Sequence, residues 1–309
     1  MSEKMATRQA YGEVLLELGE TNKDIVVLDA DLYKSTMTTY FAGKYPDRFF
    51  NMGISEQNLF GVAAGLAHSG KVVFASTFAM FAAGRAFEII RNSIGYTKAN
   101  VKICATHAGI TVGEDGGSHQ TIEDIALMRT IPGMIVISPS DGMSARLLIK
   151  QAAALNGPVY VRLGRAAVPG IYEADSKIEI GKGMCVKEGS DYTVIATGIM
   201  VNEAMMAAEA LEKEGISLRV IDLHTIKPID KEIIIKAAKE TKGIITAEEH
   251  SIFGGLGSAV AEVVVQNFPT KMAFVGLQDT FGESGKPAEL LIKYGLTADV
   301  IAAAVKNLK

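Results

Sequence analysis

The chain has 309 residues, 48% of them in the apolar set AVILMFWYC, 31 glycines and a formal net charge of −4. That length accommodates two domains with separate cores, and the mild negative charge argues against nucleic acid or an anionic membrane as a partner. No run is apolar enough to span a bilayer and no secretory segment is visible. The high apolar content therefore implies surface buried against another protein, in a cytoplasmic setting.

In chain order, a helix over 5–20 leads to the strand "DIVVLDAD" (24–31). Helix 55–68 leads to "KVVFAS" (71–76), helix 79–96 to "VKICATH" (101–107), helix 121–130 to "GMIVIS" (133–138), and helix 141–155 to "PVYVRL" (158–163). Strands that are apolar throughout and alternate with helices form a parallel sheet covered on both faces. Residues 167–190, rich in Pro, Gly and scattered charge, read as a linker holding one short strand. A smaller series follows: "YTVIATG", helix 200–214, "SLRVIDL", helix 230–240, "KGIITAEEH", helix 256–267, "KMAFVGL" and two terminal helices. The fold class is α/β in two domains, with boundaries at 1–172, 173–184 (linker) and 185–309.

Ligands of such sheets sit beyond the carboxyl ends of the strands. The densest chemistry there is "THAGITVGEDGGSHQTIED" (106–124), which holds two of the five histidines, a Glu–Asp pair and several glycines. Glycines allow close approach of the backbone to a ligand, and His and Asp supply donors, acceptors and proton transfer. Cys104 and Cys185 have no metal or redox spacing, and no metal ligand set is assigned. "GLAHSGKV" (65–72) has glycine–lysine spacing but ends in Val and runs helix to strand, so it is not a phosphate loop. Between Arg48 and Lys71 the one charged residue is Glu56, in "GISEQNLFGVAAGLA". It either caps its helix beside Ser55 or is buried against a specific partner. Phe78 and Phe81 at helical spacing fit core packing or a binding wall. Arg8, Arg162 and Arg165 fit phosphate ligands or surface charges.

In this order, "ATRQAYGE", "LDADLYKST", "GISEQNLFGVAAGLA", "STFAMFAAGRAFEIIR", "THAGITVGEDGGSHQTIEDIALMR", "VYVRLGR", "VIDLHTIKPID" and "SGKPAELL" resemble the C-terminal half of transketolase over essentially the whole chain. The resemblance implies a pyrimidine-binding domain for thiamine diphosphate, followed by a transketolase C-terminal domain. It implies that Glu56 hydrogen-bonds the cofactor's pyrimidine nitrogen, favouring the tautomer that acts as internal base, and that Phe78 and Phe81 pack on that ring. Asp31 matches a cofactor-pocket acid. His107, Asp115 and His119 match residues that contact sugar hydroxyls, the two histidines helping proton transfer. Arg8, Ser35 and Arg165 match ligands of the sugar phosphate.

The sequence departs from the family at Gly117 and Ser118, where many members have Pro and Thr, and near Gly84, where some carry a third aromatic. The family's G-D-G…N signature for diphosphate and divalent metal is not in the chain. The resemblance therefore implies one subunit of a split transketolase, with a separate N-terminal-half subunit ligating most of the Mg ion. That subunit completes the ketol-transfer site, and a self-associated heterotetramer acting on pentose phosphates is expected. Alternatives are the beta subunit of a 2-oxo acid dehydrogenase decarboxylase, a deoxyxylulose phosphate synthase-like fragment, and a non-catalytic interaction subunit. "GEDGGSHQ" with Arg165 opposes the first. Gln120 after His119 opposes the second, and the intact Glu56, His107, Asp115, His119 set opposes the third.

Overall fold

The computed structural model describes residues 4–308. The N-terminal strands are β1 (Met5–Ala6), β2 (Ile25–Asp29), β3 (Phe49–Asn51), β4 (Val72–Phe78), β5 (Val101–Thr106), β6 (Ile135–Ile137), β7 (Val159–Arg162) and β8 (Ala167–Val168). The rest are β9 (Met184–Lys187), β10 (Tyr192–Ala196), β11 (Leu218–Asp222), β12 (Thr225–Lys227), β13 (Ile244–Ser251) and β14 (Met272–Leu277). They form a sheet of order β12-β6-β7-β5-β4-β2-β3, a second of order β14-β13-β10-β11-β9, and a small β1–β8 pair. Both large sheets are parallel except at one edge each, where β12 and β9 run antiparallel to their neighbours.

The strands form where the sequence is most apolar: β2 and β5 are buried along their whole length. One face of the first sheet is covered by helices Thr7–Thr21 and Gly142–Ala154, around Tyr11, Phe41 and Phe74. The other face carries helix Glu56–His68, and its hydrophobic cluster continues through Ile103 and Met128 into Ile234, Leu256 and Val260 of the second domain. The two domains thus share one apolar core, and burying it is the main force joining them.

Five features differ from the sequence expectations. Residues 33–51 contain two short helices, a tight turn and edge strand β3, too short to show periodicity. The helix expected over 79–96 is a series of wide turns, Met80–Arg85 and Ile90–Tyr96, around a regular turn at Phe87–Ile89. The helix expected from 121 starts at Asp124. The linker region contributes two strands rather than one, β8 closing on β1 and β9 joining the second sheet. β12, unforeseen, leaves the second domain to cover the open edge of β6, as exposed sheet edges require. Among the described residues no helix is long and apolar enough to cross a membrane.

Asp222, at the end of β11, fastens this junction. Its Oδ2 accepts hydrogen bonds from Ser140 Oγ (2.6 Å) and Tyr172 OH (2.9 Å), while Oδ1 has no partner among the described residues. Burial pushes its carboxyl up to about 7 against these two bonds, with Asp141 adding repulsion. Between about pH 4 and 7 the folded chain holds a proton that the unfolded chain has released, so stability falls as pH rises through that interval. Asp222→Asn removes this loss. The variant is expected to exceed the parent by about 1–3 kcal/mol at pH 8 and by much less at pH 4.5. Denaturant titrations at the two pH values check it, and a gap that does not widen with pH contradicts it.

Candidate functional site

The carboxyl ends of β2, β4, β5 and β7 lie side by side at one edge of the first sheet. β2 ends in Asp29, whose Oδ1 accepts from Leu32 N (2.6 Å) and whose Oδ2 accepts from Thr36 Oγ1 (2.6 Å) and Thr38 Oγ1 (3.0 Å). Burial raises its carboxyl to about 6 in spite of these bonds. This knot drives Asp31 and Met37 into left-handed backbone (φ 63° and 67°) and turns the Ser35 carbonyl toward Arg8. Arg8 Nη1 donates to that carbonyl at 2.6 Å, and Arg8 Nε is buried with no partner among the described residues. Asp31 lies at the rim, exposed, where its Oδ1 accepts from Asn51 Nδ2 (2.8 Å).

From β4, Phe78 stacks on Phe81 (centroids 6.0 Å apart, 14° between planes) and on His107 from β5 (3.9 Å, 22°). His119 meets both phenyl rings edge-on, at 6.3 and 5.4 Å. His107 has φ +58° and is buried. Its Nε2 lies 3.5 Å from Arg8 Nη1 and its Nδ1 2.9 Å from Thr106 Oγ1. A guanidinium only donates, which assigns Nε2 as acceptor and the ring proton to Nδ1. Burial, then the charges of Arg8 and Arg165, push the His107 pKa down to about 3, so the ring is neutral near pH 7. Burial and then Arg165 also lower the pKa of Arg8. Two cations held this close repel each other, which favours an anion between them.

Glu56 is the first residue of its helix and is 3% exposed. Ser55 takes the N-cap position and Glu56 the first turn, where an acid complements the helix dipole, but neither side chain makes a capping hydrogen bond: Ser55 Oγ donates instead to Met52 O (2.7 Å). The partner that burial demands is Arg85, whose Nη1 donates to Glu56 Oε2 at 3.1 Å. Among the described residues Oε1 accepts no hydrogen bond, so it is open to a donor from a bound ring. That free oxygen beside stacked phenyl faces fits an aminopyrimidine.

The glycine loop is held by the second domain. Glu249 Oε1 accepts from Thr111 N (2.7 Å), and its carboxyl lies where a Cβ on Gly109 (φ +81°) would have to sit, so only glycine fits there. Gln120 Nε2 donates to Ile110 O (3.0 Å), Gly113 O (3.3 Å) and Glu283 O (3.0 Å), clipping the loop to itself and to the second domain. Arg165 Nη1 donates to Glu114 Oε2 (3.1 Å) and to Val112 O.

The predicted residues Glu56, Phe78, Phe81, His107, His119, Arg8 and Ser35 are therefore joined by contacts into one cluster through Arg85, with the charge of Arg165 acting on His107 and Arg8, while Asp31 and Asp115 are exposed. Arg162 is neither a surface charge nor a phosphate ligand. It is buried in an ion pair with Asp124 (Nε–Oδ2 2.9 Å), and its Nη2 donates to Glu249 O (2.9 Å). Sequence reasoning assigned no role to Arg85, Asp29 or Glu249. The signal for Arg85 was the unpartnered Glu56 itself. Among the described residues no group of three or more His, Cys, Asp or Glu side chains is arranged to hold a metal ion.

This fold and cluster define a class of two-domain α/β chains with acidic, aromatic and cationic side chains gathered at the strand ends of the first domain. The sequence matches the family model described as "Transketolase, pyrimidine binding domain" over residues 3–170 and "Transketolase, C-terminal domain" over 181–301. A putative transketolase C-terminal section from Methanocaldococcus jannaschii is 54% identical over 96% of this chain and 94% of its own length. An apulose-4-phosphate transketolase subunit from Phocaeicola vulgatus is 41% identical over 96% of this chain and 95% of its own length. A solved structure titled "Split gene transketolase, inactive beta4 tetramer" superposes with a TM-score of 0.93 at 57% identity, covering 98% of each chain. Human transketolase is 39% identical over the whole of this chain, which spans 50% of that protein. The chain belongs to the transketolase family, as a C-terminal-section subunit of a thiamine-diphosphate-dependent transketolase.

Proposed function

We propose that this chain supplies half of a ketol-transfer site and works only with a separate N-terminal-half subunit. The observation that carries this is one continuous line of contacts, from the buried Glu56 carboxylate through Arg85, Phe81, Phe78 and His107 to Arg8 and Ser35. An acid at one end, an aromatic shelf between and paired cations at the other suit a cofactor ring followed by a sugar phosphate. Thiamine diphosphate, when bound, supplies the nucleophilic carbon that carries the two-carbon unit. Glu56 Oε1 would accept a hydrogen bond from the protonated pyrimidine nitrogen, holding the proton on the ring, and Phe78 and Phe81 would pack against the ring. Asp31 lines the pocket at its rim.

Neutral His107, with His119 and Asp115, hydrogen-bonds the sugar hydroxyls, and the two histidines move protons there. Arg8, the Ser35 segment and Arg165 hold the terminal phosphate, where an arginine fork matches a dianion. In this reading residues 1–172 carry the cofactor's pyrimidine end, 173–184 link, and 185–309 form the C-terminal domain. The partner ligates most of the divalent metal, Mg. We further infer a cytoplasmic heterotetramer acting on pentose phosphates.

The test is to capture the tagged chain from its own cell lysate, then identify what co-purifies and assay it for thiamine-diphosphate-dependent ketol transfer. A stoichiometric partner bearing a G-D-G…N segment, with turnover only in its presence, is expected. A lone chain that turns over contradicts the proposal.

Within this assembly Glu249→Ala releases Thr111 N and slackens the loop carrying His119. Displacing such groups by about 1 Å costs up to roughly 100-fold, so kcat/KM for the sugar phosphate is expected to fall about 10–100-fold. Cofactor affinity, set on β4 and the Glu56 helix, is expected to stay within about twofold of the parent. Steady-state kinetics with a cofactor titration check both parts.

A further inference from the structure

Glu56 is a buried carboxylate whose single hydrogen-bond donor among the described residues is Arg85. The guanidinium does two things at once. Nη1 holds Glu56 Oε2 at 3.1 Å, while Cζ lies 4.9 Å from the centroid of Phe81, which itself stacks on Phe78. The wide turn at Met80–Arg85 makes this possible: Ala86 N reaches back to Phe81 O (3.2 Å), setting residue 85 above the ring of residue 81. An arginine suits the place because its planar fork can grip a carboxylate and lie along an aromatic ring together. Its side chain is 53% exposed, so the guanidinium reaches the surface while it holds the buried carboxylate.

We propose that Arg85 is a positioning residue of the cofactor site, clamping Oε2 of Glu56 so that Oε1 is aimed at the pyrimidine nitrogen. This rests on the role given to Glu56 above. Without the clamp the carboxylate is free to rotate about its last torsion, and the acceptor is no longer fixed before the ring arrives. Glu56 supplies the acceptor atom and Arg85 supplies its direction.

The test is calorimetric binding to the assembled two-subunit protein of two probes. One is thiamine diphosphate, and the other is its analogue with CH in place of the pyrimidine nitrogen that faces Glu56. Arg85→Met is expected to weaken thiamine diphosphate about 10–100-fold, the range of one hydrogen bond to a charged group. It should leave the analogue within about twofold of the parent, while the melting temperature falls because the buried Glu56 loses its one donor, a stability loss that the analogue control separates from the effect on the cofactor. Arg85→Lys, which returns the charge without the fork, is expected to recover part of the loss. Equal weakening of both probes shows a general structural effect and overturns the proposal, as does unchanged binding of thiamine diphosphate. If the parent protein itself binds the two probes equally, the role assigned to Glu56 fails first, and the two failures are told apart by that control.

Discussion

Glu56→Gln in the assembled enzyme is expected to lower kcat by about 10²–10⁴-fold, the range attributed to a positioned proton acceptor. The substitution keeps the volume of the side chain and an oxygen for Arg85, and removes the charge that favours proton sharing with the pyrimidine. It is not expected to unfold the protein. A carboxylate 3% exposed at the head of a helix is costly to bury, and its cation is largely solvated, so removing the charge leaves the melting temperature level or slightly higher. Stopped assays of turnover together with a thermal melt read both effects. A fall in kcat below about tenfold contradicts the account, since Glu56 then has no part in the chemistry. A collapse of the melting temperature contradicts the stability argument instead.

The second large effect is structural. Arg162→Ala strands Asp124, which is fully buried and otherwise accepts from Tyr160 OH (2.8 Å), and removes a donor from Glu249 O. Breaking a buried ion pair from one side typically costs about 3–5 kcal/mol, and that loss is expected here. Replacing both partners, Arg162→Met with Asp124→Leu, removes the stranded charge and is expected to cost less than the single change. Because Arg162 ties β7 of the first domain to β13 of the second, the single variant should also weaken the grip of Glu249 on the glycine loop. Denaturant midpoints for the single and double variants decide the point. Equal losses would mean that packing, not the uncompensated charge, sets the cost.

Much of this architecture was legible because the long strands are continuous apolar runs. "IVVLD" and "VKICAT" have no solvated face, and their burial on both sides follows directly. Elements held by tertiary contact left no such trace. β3 and β12 are three residues long, and β12 is a strand only because β6 offers an open edge. The segment 79–96 carries helical spacing, yet its wide turns answer to the packing of Phe78, Phe81 and Arg85 on one another and on Glu56. Local periodicity does not encode that.

The site followed the same division. Glu56, His107 and His119 stood out because polar groups in apolar or glycine-rich company need a reason. Arg85 did not, being 29 residues from its partner in the chain and one of many surface-type charges. Arg162 misled for the opposite reason: its burial depends on Asp124 and on Glu249 from the other domain, which nothing near it in sequence signals. The glycine loop's dependence on Glu249 and Gln120 is likewise a property of the domain junction.

The central claim is that this chain is half of a ketol-transfer site. The most direct measurement is a titration of the purified full chain with the purified N-terminal-half subunit. Thiamine diphosphate and Mg would be saturating, and two-carbon transfer between sugar phosphates would be followed. Turnover should be absent at the start, rise in proportion to added partner and level off at equivalence, with no activity from either subunit alone. Turnover by this chain without the partner, or none at any ratio with both subunits folded, would contradict the account.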